Sequence, residues 1–228
     1  MFRLIVLVAC IGCALGLQSW EQKVLDYHNK LRGKVASGQQ SGAPQAAYMA
    51  KLTWDANLAK QAQAYASRCI WGHDQNRGKG IGENIAMDST ADSYEKMTQA
   101  WYDEVDLAPV PDYNKMTNDL FSKGMGHYTQ VIWSQSTKLG CGWQKGCKHQ
   151  GWKMEFLVCR YSPAGNFMGQ PIYQTGNKCS NCKGSCSNGL CSGGVKTAPC
   201  VDKYSNCRDL KSFCNQSHIK SGCCKTCS

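Results

Sequence analysis

Past its first sixteen residues the chain has no apolar run long enough to cross a bilayer, which takes about 20 residues. It also has no His-Glu-x-x-His segment and no Gly-x-Ser-x-Gly turn, so the usual zinc-protease and serine-hydrolase centres are missing. No serine has a marked setting beside a histidine. No basic stretch is interleaved with aromatic residues, so the common footprint of nucleic-acid binding is absent. Acidic residues are scarce as well: 16 Asp and Glu stand against 26 Lys and Arg, a formal charge of +10. That imbalance favours acidic partners, such as lipid headgroups or the acidic face of a membrane protein.

What is present begins with Met1-Phe2-Arg3, followed by the short apolar block 4–13 and the small-x-small end Ala14-x-Gly16. This is the pattern of a cleaved secretory signal over 1–16, and the mature protein is expected to be exported and soluble. Of sixteen cysteines, Cys10 and Cys13 fall in that leader, leaving fourteen. An even number in an oxidising compartment reads as a disulfide framework, with no thiol left over as a nucleophile.

Cysteine density divides the mature chain. Residues 17–176 hold four cysteines and are long enough to build a core of their own. Residues 177–228 hold ten, with few large apolar side chains, and must be stapled; this tail is expected to fold as an independent unit. Its eight basic residues against Asp202 and Asp209 concentrate the positive charge there.

Apolar spacing predicts three helices in the larger module. Trp20, Val24, Tyr27 and Leu31 form one stripe, and Leu58, Ala62, Tyr65 and Cys69 repeat its spacing behind Asp55 as N-cap. Tyr94, Met97 and Trp101 form a third after Asp92. Residues 83–87, 140–143 and 152–159 read as strands, and pattern alone makes 129–133 a strand too.

Two segments carry a resemblance. Gly126-His127-Tyr128-Thr129-Gln130-Val131-Ile132-Trp133 and, after a short gap, Phe156-Leu157-Val158-Cys159-Arg160-Tyr161-Ser162-Pro163-Ala164-Gly165-Asn166-Phe167 resemble the hallmark segments of the CAP superfamily. That superfamily holds cysteine-rich secretory proteins, venom allergens and plant pathogenesis-related proteins. The resemblance implies an α+β fold: an α-β-α sandwich over 17–176, with a short helix in place of the strand at 129–133. The spacing Cys179-x2-Cys182-x3-Cys186-x4-Cys191 resembles the hinge of cysteine-rich secretory proteins (177–192). Cys200, Cys207, Cys214, Cys223, Cys224 and Cys227 resemble the disulfide-rich ShK-like module that follows it (193–228), although Cys224 is off the pattern. Implied pairings are Cys69–Cys147, Cys141–Cys159, Cys179–Cys186, Cys182–Cys191, Cys207–Cys223 and Cys214–Cys227, with Cys200 and Cys224 left for each other. Asn215-Gln216-Ser217 is a glycosylation acceptor within that module.

His73, Glu83, Glu104 and His127 match, residue by residue, the two histidines and two glutamates of the family's central cavity. Paired imidazoles suit zinc or a similar divalent ion, with the glutamates either ligating it or orienting the rings. His28 fits another family segment and is expected to make structural hydrogen bonds. No organic cofactor is implied. The resulting expectation is a secreted, non-catalytic binding protein. Its basic tail would modulate an ion channel or another extracellular protein, with no nucleic-acid partner and no transmembrane segment. Sterol or lipid carriage by the larger module, through the loop 105–113, is the alternative; metal-dependent hydrolysis is a distant third.

Overall fold

A computed structural model of the protein describes residues 17–90, 92–196, 206–216, 223 and 226–227. The leader 1–16 and the Cys200–Cys224 pairing lie outside the described residues. Three helices follow the predicted stripes: α1 (Ser19–Ala36), α2 (Ala56–Ala66) and α3 (Tyr94–Asp103). Asp55 caps α2, its carboxylate accepting from the backbone nitrogens of Asn57 and Leu58 at 3.0 Å each. The second stripe ends sooner than its spacing predicts. The helix stops at Ala66, and Cys69 sits in a left-handed turn (φ 53°) where its disulfide to Cys147 holds it. At the start of α3 the capping group comes from elsewhere in the chain: Glu155 accepts from the nitrogens of Asp92 and Ser93 and from the Ser93 hydroxyl.

Strands β1 (Thr53–Trp54), β2 (Gly82–Asp88), β3 (Lys138–His149) and β4 (Trp152–Ser162) form one sheet in the order β1-β3-β4-β2. Only the β1–β3 pairing is parallel. Side chains alternate across the sheet, so its two faces are covered by different helices. Phe156 and Val158 pack with Ala62, Tyr65 and Ala66 of α2. Leu157, Cys159 and Tyr161 face the larger cluster that α1, α3 and the later short helix α5 (Gly126–Val131) complete; α4 (Asn118–Ser122) precedes it. The architecture is the expected α-β-α sandwich. Cys141 and Cys159, directly opposite each other on β3 and β4, are joined by a disulfide inside the larger cluster.

Gly140 and Gly142 let α2 lie directly on β3. A Cβ on either would overlap the helix backbone, at the nitrogens of Ala59 and Gln63 respectively. The segment 129–133, strand-like by pattern, lies in α5 and the turn after it. There the Thr129 hydroxyl donates to the Met125 carbonyl at 2.9 Å, the back-bond a helix offers this residue.

The hinge is knitted to the larger module instead of standing apart with the tail. Its hairpin, β5 (Ser185–Ser187) and β6 (Leu190–Ser192), is held by Cys179–Cys186 and Cys182–Cys191. Cys191 exchanges backbone hydrogen bonds with Met49 and Lys51, at 2.8 and 2.9 Å, and Asn181 donates to the Ala47 carbonyl. Tyr48, Ala50, Cys182 and Cys191 form a small buried cluster beneath it. Cystine and backbone pairing thus take the place of the large apolar side chains this segment lacks. Farther along, Cys207–Cys223 and Cys214–Cys227 staple the described part of the tail, where Asn215 is exposed.

His28 is a core residue. Its Nδ1 donates to the Val24 carbonyl (2.7 Å) and its Nε2 accepts from the Tyr161 hydroxyl (2.9 Å), so the neutral ring joins α1 to β4. Burial pushes this imidazole down from 6.5 to about 4, only partly opposed by the Val24 hydrogen bond.

Two outcomes follow from this packing. Gly142→Ala is expected to cost about 1–3 kcal/mol, seen as a lower thermal midpoint, because a helix backbone cannot yield as a side chain would. His28 is neutral when folded yet takes a proton near 6.5 when unfolded. Its contribution is therefore complete above that pH and is lost as pH falls toward 4, by about 3 kcal/mol in total. Urea midpoints across this window should fall in the wild type and fall much less in His28→Gln; parallel profiles would contradict the assignment.

Candidate functional site

Edge strand β2 brings together groups from both layers. Glu83, its second residue, lies opposite Arg160 of β4. On the α2 side, Glu83 Oε1 accepts from His73 Nδ1 at 3.0 Å and from the Asp74 nitrogen at 2.9 Å, which fixes the loop carrying His73. Arg160 donates to Asp74 Oδ2 at 2.5 Å and to Gln61 Oε1 at 3.1 Å. Its Nε stands 3.5 Å from Glu83 Oε2, an ion pair in which neither atom has a hydrogen-bond partner. A buried carboxylate beside a buried guanidinium is strongly held, because each would be costly to bury alone.

On the other side, α3 runs directly into a short 3-10 turn, Glu104–Asp106, which places Glu104 against the start of α5. Glu104 Oε2 accepts from the nitrogens of His127 and Tyr128, both at 2.9 Å, while Oε1 accepts from His127 Nδ1 at 2.5 Å. One carboxylate therefore satisfies two otherwise orphaned amides and fixes the imidazole. Asn84 of β2 donates to the His127 carbonyl at 3.1 Å, and the Trp101 ring stacks beside the imidazole at 6.2 Å.

The two half-sites meet across a cavity of about 480 Å3, lined by His73, Glu83, Glu104 and His127 with Arg77 and Gln130. The imidazole centroids are 6.2 Å apart. A carboxylate can only accept, so each Nδ1 carries a proton, and in the neutral form of the ring Nε2 keeps its lone pair; among the described residues neither Nε2 has a hydrogen-bond partner. The side chains of His73 and His127 are 45% and 31% exposed, so both rings can be reached from solvent. Among the described residues no three His, Cys, Asp or Glu side chains converge as ligands. The carboxylates sit behind the rings, and the paired Nε2 atoms are the donor set left for a soft-to-borderline cation.

The four residues singled out from the sequence are thus brought together. Arg160, Asp74 and Asn84 were missed, although Arg160 was legible in principle: pairing the Gly-Glu strand with the Phe-Leu-Val-Cys-Arg strand puts it opposite Glu83. The loop 105–113, the candidate lipid surface, is divided between core and solvent, with Pro109 and Pro111 exposed. Val105, Ala108 and Val110 pack on the main cluster, Tyr113 is buried, and Leu107 is exposed.

Comparison with known proteins gives a consistent assignment. Residues 25–161 match the model of the cysteine-rich secretory protein family, CAP. Scoloptoxin SSD976 of Scolopendra dehaani is 36% identical over 197 residues, covering 79% of this chain and 90% of the toxin. Human cysteine-rich secretory protein 3 is 32% identical over 215 residues, covering 91% of this chain and 82% of that protein. Among solved structures, NaASP2 with Zn2+ superimposes with a TM-score of 0.69 at 40% identity, over 78% of this chain and 98% of its own.

Proposed function

Because this chain belongs to the cysteine-rich secretory protein family, CAP, we propose that it is an extracellular binding protein whose cavity takes a divalent ion, zinc foremost, through His73 and His127. The observation that carries the proposal is the pair of free Nε2 atoms, each backed by a carboxylate at Nδ1. The zinc present with NaASP2, at 40% identity, supports it. Water or an incoming ligand would complete the coordination. Catalysis is not part of this reading: among the described residues no serine, threonine or cysteine lines the cavity, and both carboxylates are engaged by imidazoles. Lipid carriage through the loop 105–113 would rest on Leu107, Pro109 and Pro111, since Val105, Ala108, Val110 and Tyr113 are turned to the core.

A second reading rests on charge. Arg208 and Lys211 are exposed on a segment that two disulfides hold, in a tail carrying eight basic residues. Such a tail would meet an acidic extracellular protein surface, an ion-channel mouth among them, as part of the same secreted, toxin-like protein. A glycan on Asn215 would restrict which tail face engages.

Titration calorimetry should show one zinc ion taken up by the wild type and none by a His73→Ala/His127→Ala variant. Glu104→Gln should weaken uptake about 10–100-fold, as loss of a carboxylate behind a ligating imidazole does. Equal uptake by wild type and double variant would remove the assignment. For the tail, Arg208→Glu/Lys211→Glu should slow association with a responsive channel, and added salt should do the same. Unchanged block in that variant would rule out the charge-based reading.

A further inference from the structure

The end of the sheet formed by the β3–β4 turn carries a surface that the cavity does not use. The strands turn at Gln150 and Gly151, both left-handed (φ 48° and 85°). On one face of this hairpin His149 and its cross-strand partner Trp152 stand beside Trp71, whose ring lies 6.1 Å from the His149 ring. The Cys69–Cys147 disulfide fixes the loop bearing Ile70 and Trp71 to the same strand. Trp152 is 71% exposed, Trp71 52% and Ile70 45%. Isolated exposed apolar residues are ordinary, but two indoles and an isoleucine gathered at one stapled tip, joined through the His149 ring, are apolar area that water solvates poorly.

The opposite face of the tip carries Lys148 directly across from Lys153, both exposed. Like charges opposed across a ladder repel, and neither lysine makes an ion pair among the described residues. Residues 145–153 hold three lysines and no carboxylate. Indole rings favour the headgroup layer of a membrane, where an apolar body and a polar N–H are both accommodated. Lysines with long apolar stems keep their amines among lipid phosphates there, and an anionic surface removes their mutual repulsion. A sulfated polysaccharide would satisfy the lysines but would leave the indoles in water.

We propose that the β3–β4 tip, with Ile70, Trp71, Trp152, Lys148 and Lys153, is an interfacial anchor for anionic lipid bilayers. The rings enter the headgroup region while the paired lysines bind its phosphates and carboxylates. The anchor shares no residue with the cavity or the tail, so it concentrates the protein at a membrane whichever of those engages a partner.

The test is co-sedimentation of the full-length protein with phosphatidylcholine vesicles, with and without phosphatidylserine, together with tryptophan emission. Wild type should partition onto the anionic vesicles with a blue shift and only weakly onto phosphatidylcholine alone. Trp152→Ala should lower partitioning at least about fivefold and remove most of the shift. Lys148→Glu/Lys153→Glu should lower it at least about twentyfold. Arg208→Glu/Lys211→Glu should bind as wild type does. All variants should keep the wild-type thermal midpoint and zinc uptake, which separates failure of the anchor from failure of the cavity reading. Equal partitioning of Trp152→Ala and wild type, loss confined to the tail variant, or no vesicle binding at all would overturn the proposal. The last outcome would leave a protein as the partner of the tip.

Discussion

Arg32 is the constraint on which the rest of the structure depends. Its guanidinium is fully buried and has no carboxylate partner among the described residues; five hydrogen bonds run from it to the carbonyls of Ala50, Val131, Trp133 and Ser136. Such a charge is tolerable only because each N–H finds a carbonyl, and Val131 lies at the negative end of α5. The consequence is positional. One side chain of α1 locks the segment around Ala50, the end of α5 and the turn before β3 into one arrangement. At the other end of α5 stands His127, and on the segment around Ala50 the hinge docks.

The cavity shows the same economy on a smaller scale. Two layers that never touch through the sheet meet at the exposed edge of β2, where Glu83 and Asn84 point to opposite faces. Glu83 holds the loop of His73 on one side, and Asn84 holds the His127 carbonyl on the other. Each imidazole is oriented before any ligand arrives, so binding would cost little reorganisation. Arg160 anchors this edge from the neighbouring strand and keeps the Glu83 carboxylate from being an isolated buried charge.

One disulfide, Cys141–Cys159, lies within the apolar core; others extend rigidity beyond it. Cys69–Cys147 joins the loop after α2 to the end of β3, and that one loop carries Trp71 at the tip and His73 at the cavity. The surface at the sheet end and the histidine-lined cavity are thereby held by the same covalent link. In the hinge, Cys182 and Cys191 provide the buried contacts themselves, packed on Tyr48 and Ala50.

Local chemistry in the sequence was sufficient for α1, α2 and α3, for β2, β4 and the first part of β3, and for the Asp55 cap. Each depends on spacing within a few residues, which a helix or strand imposes wherever it sits. The sequence resemblance supplied the four cavity residues, but not which atoms face the cavity. The short helix at His127 was beyond local pattern: β-branched Thr129, Val131 and Ile132 favour a strand, and the helix forms because Glu104 takes the His127 and Tyr128 amides at its start while Arg32 takes the Val131 carbonyl at its end and that of Trp133 just beyond. Cys69 left its helix because a disulfide to a residue 78 positions away required a turn. The hinge joined the larger module because open backbone groups at 46–51 had to be paired. Composition thus determined that the chain is cross-linked and periodicity determined its longer elements, while the resemblance supplied the cystine pairings. Tertiary structure decided the site, because every bond that orients its two imidazoles joins residues that periodicity cannot relate.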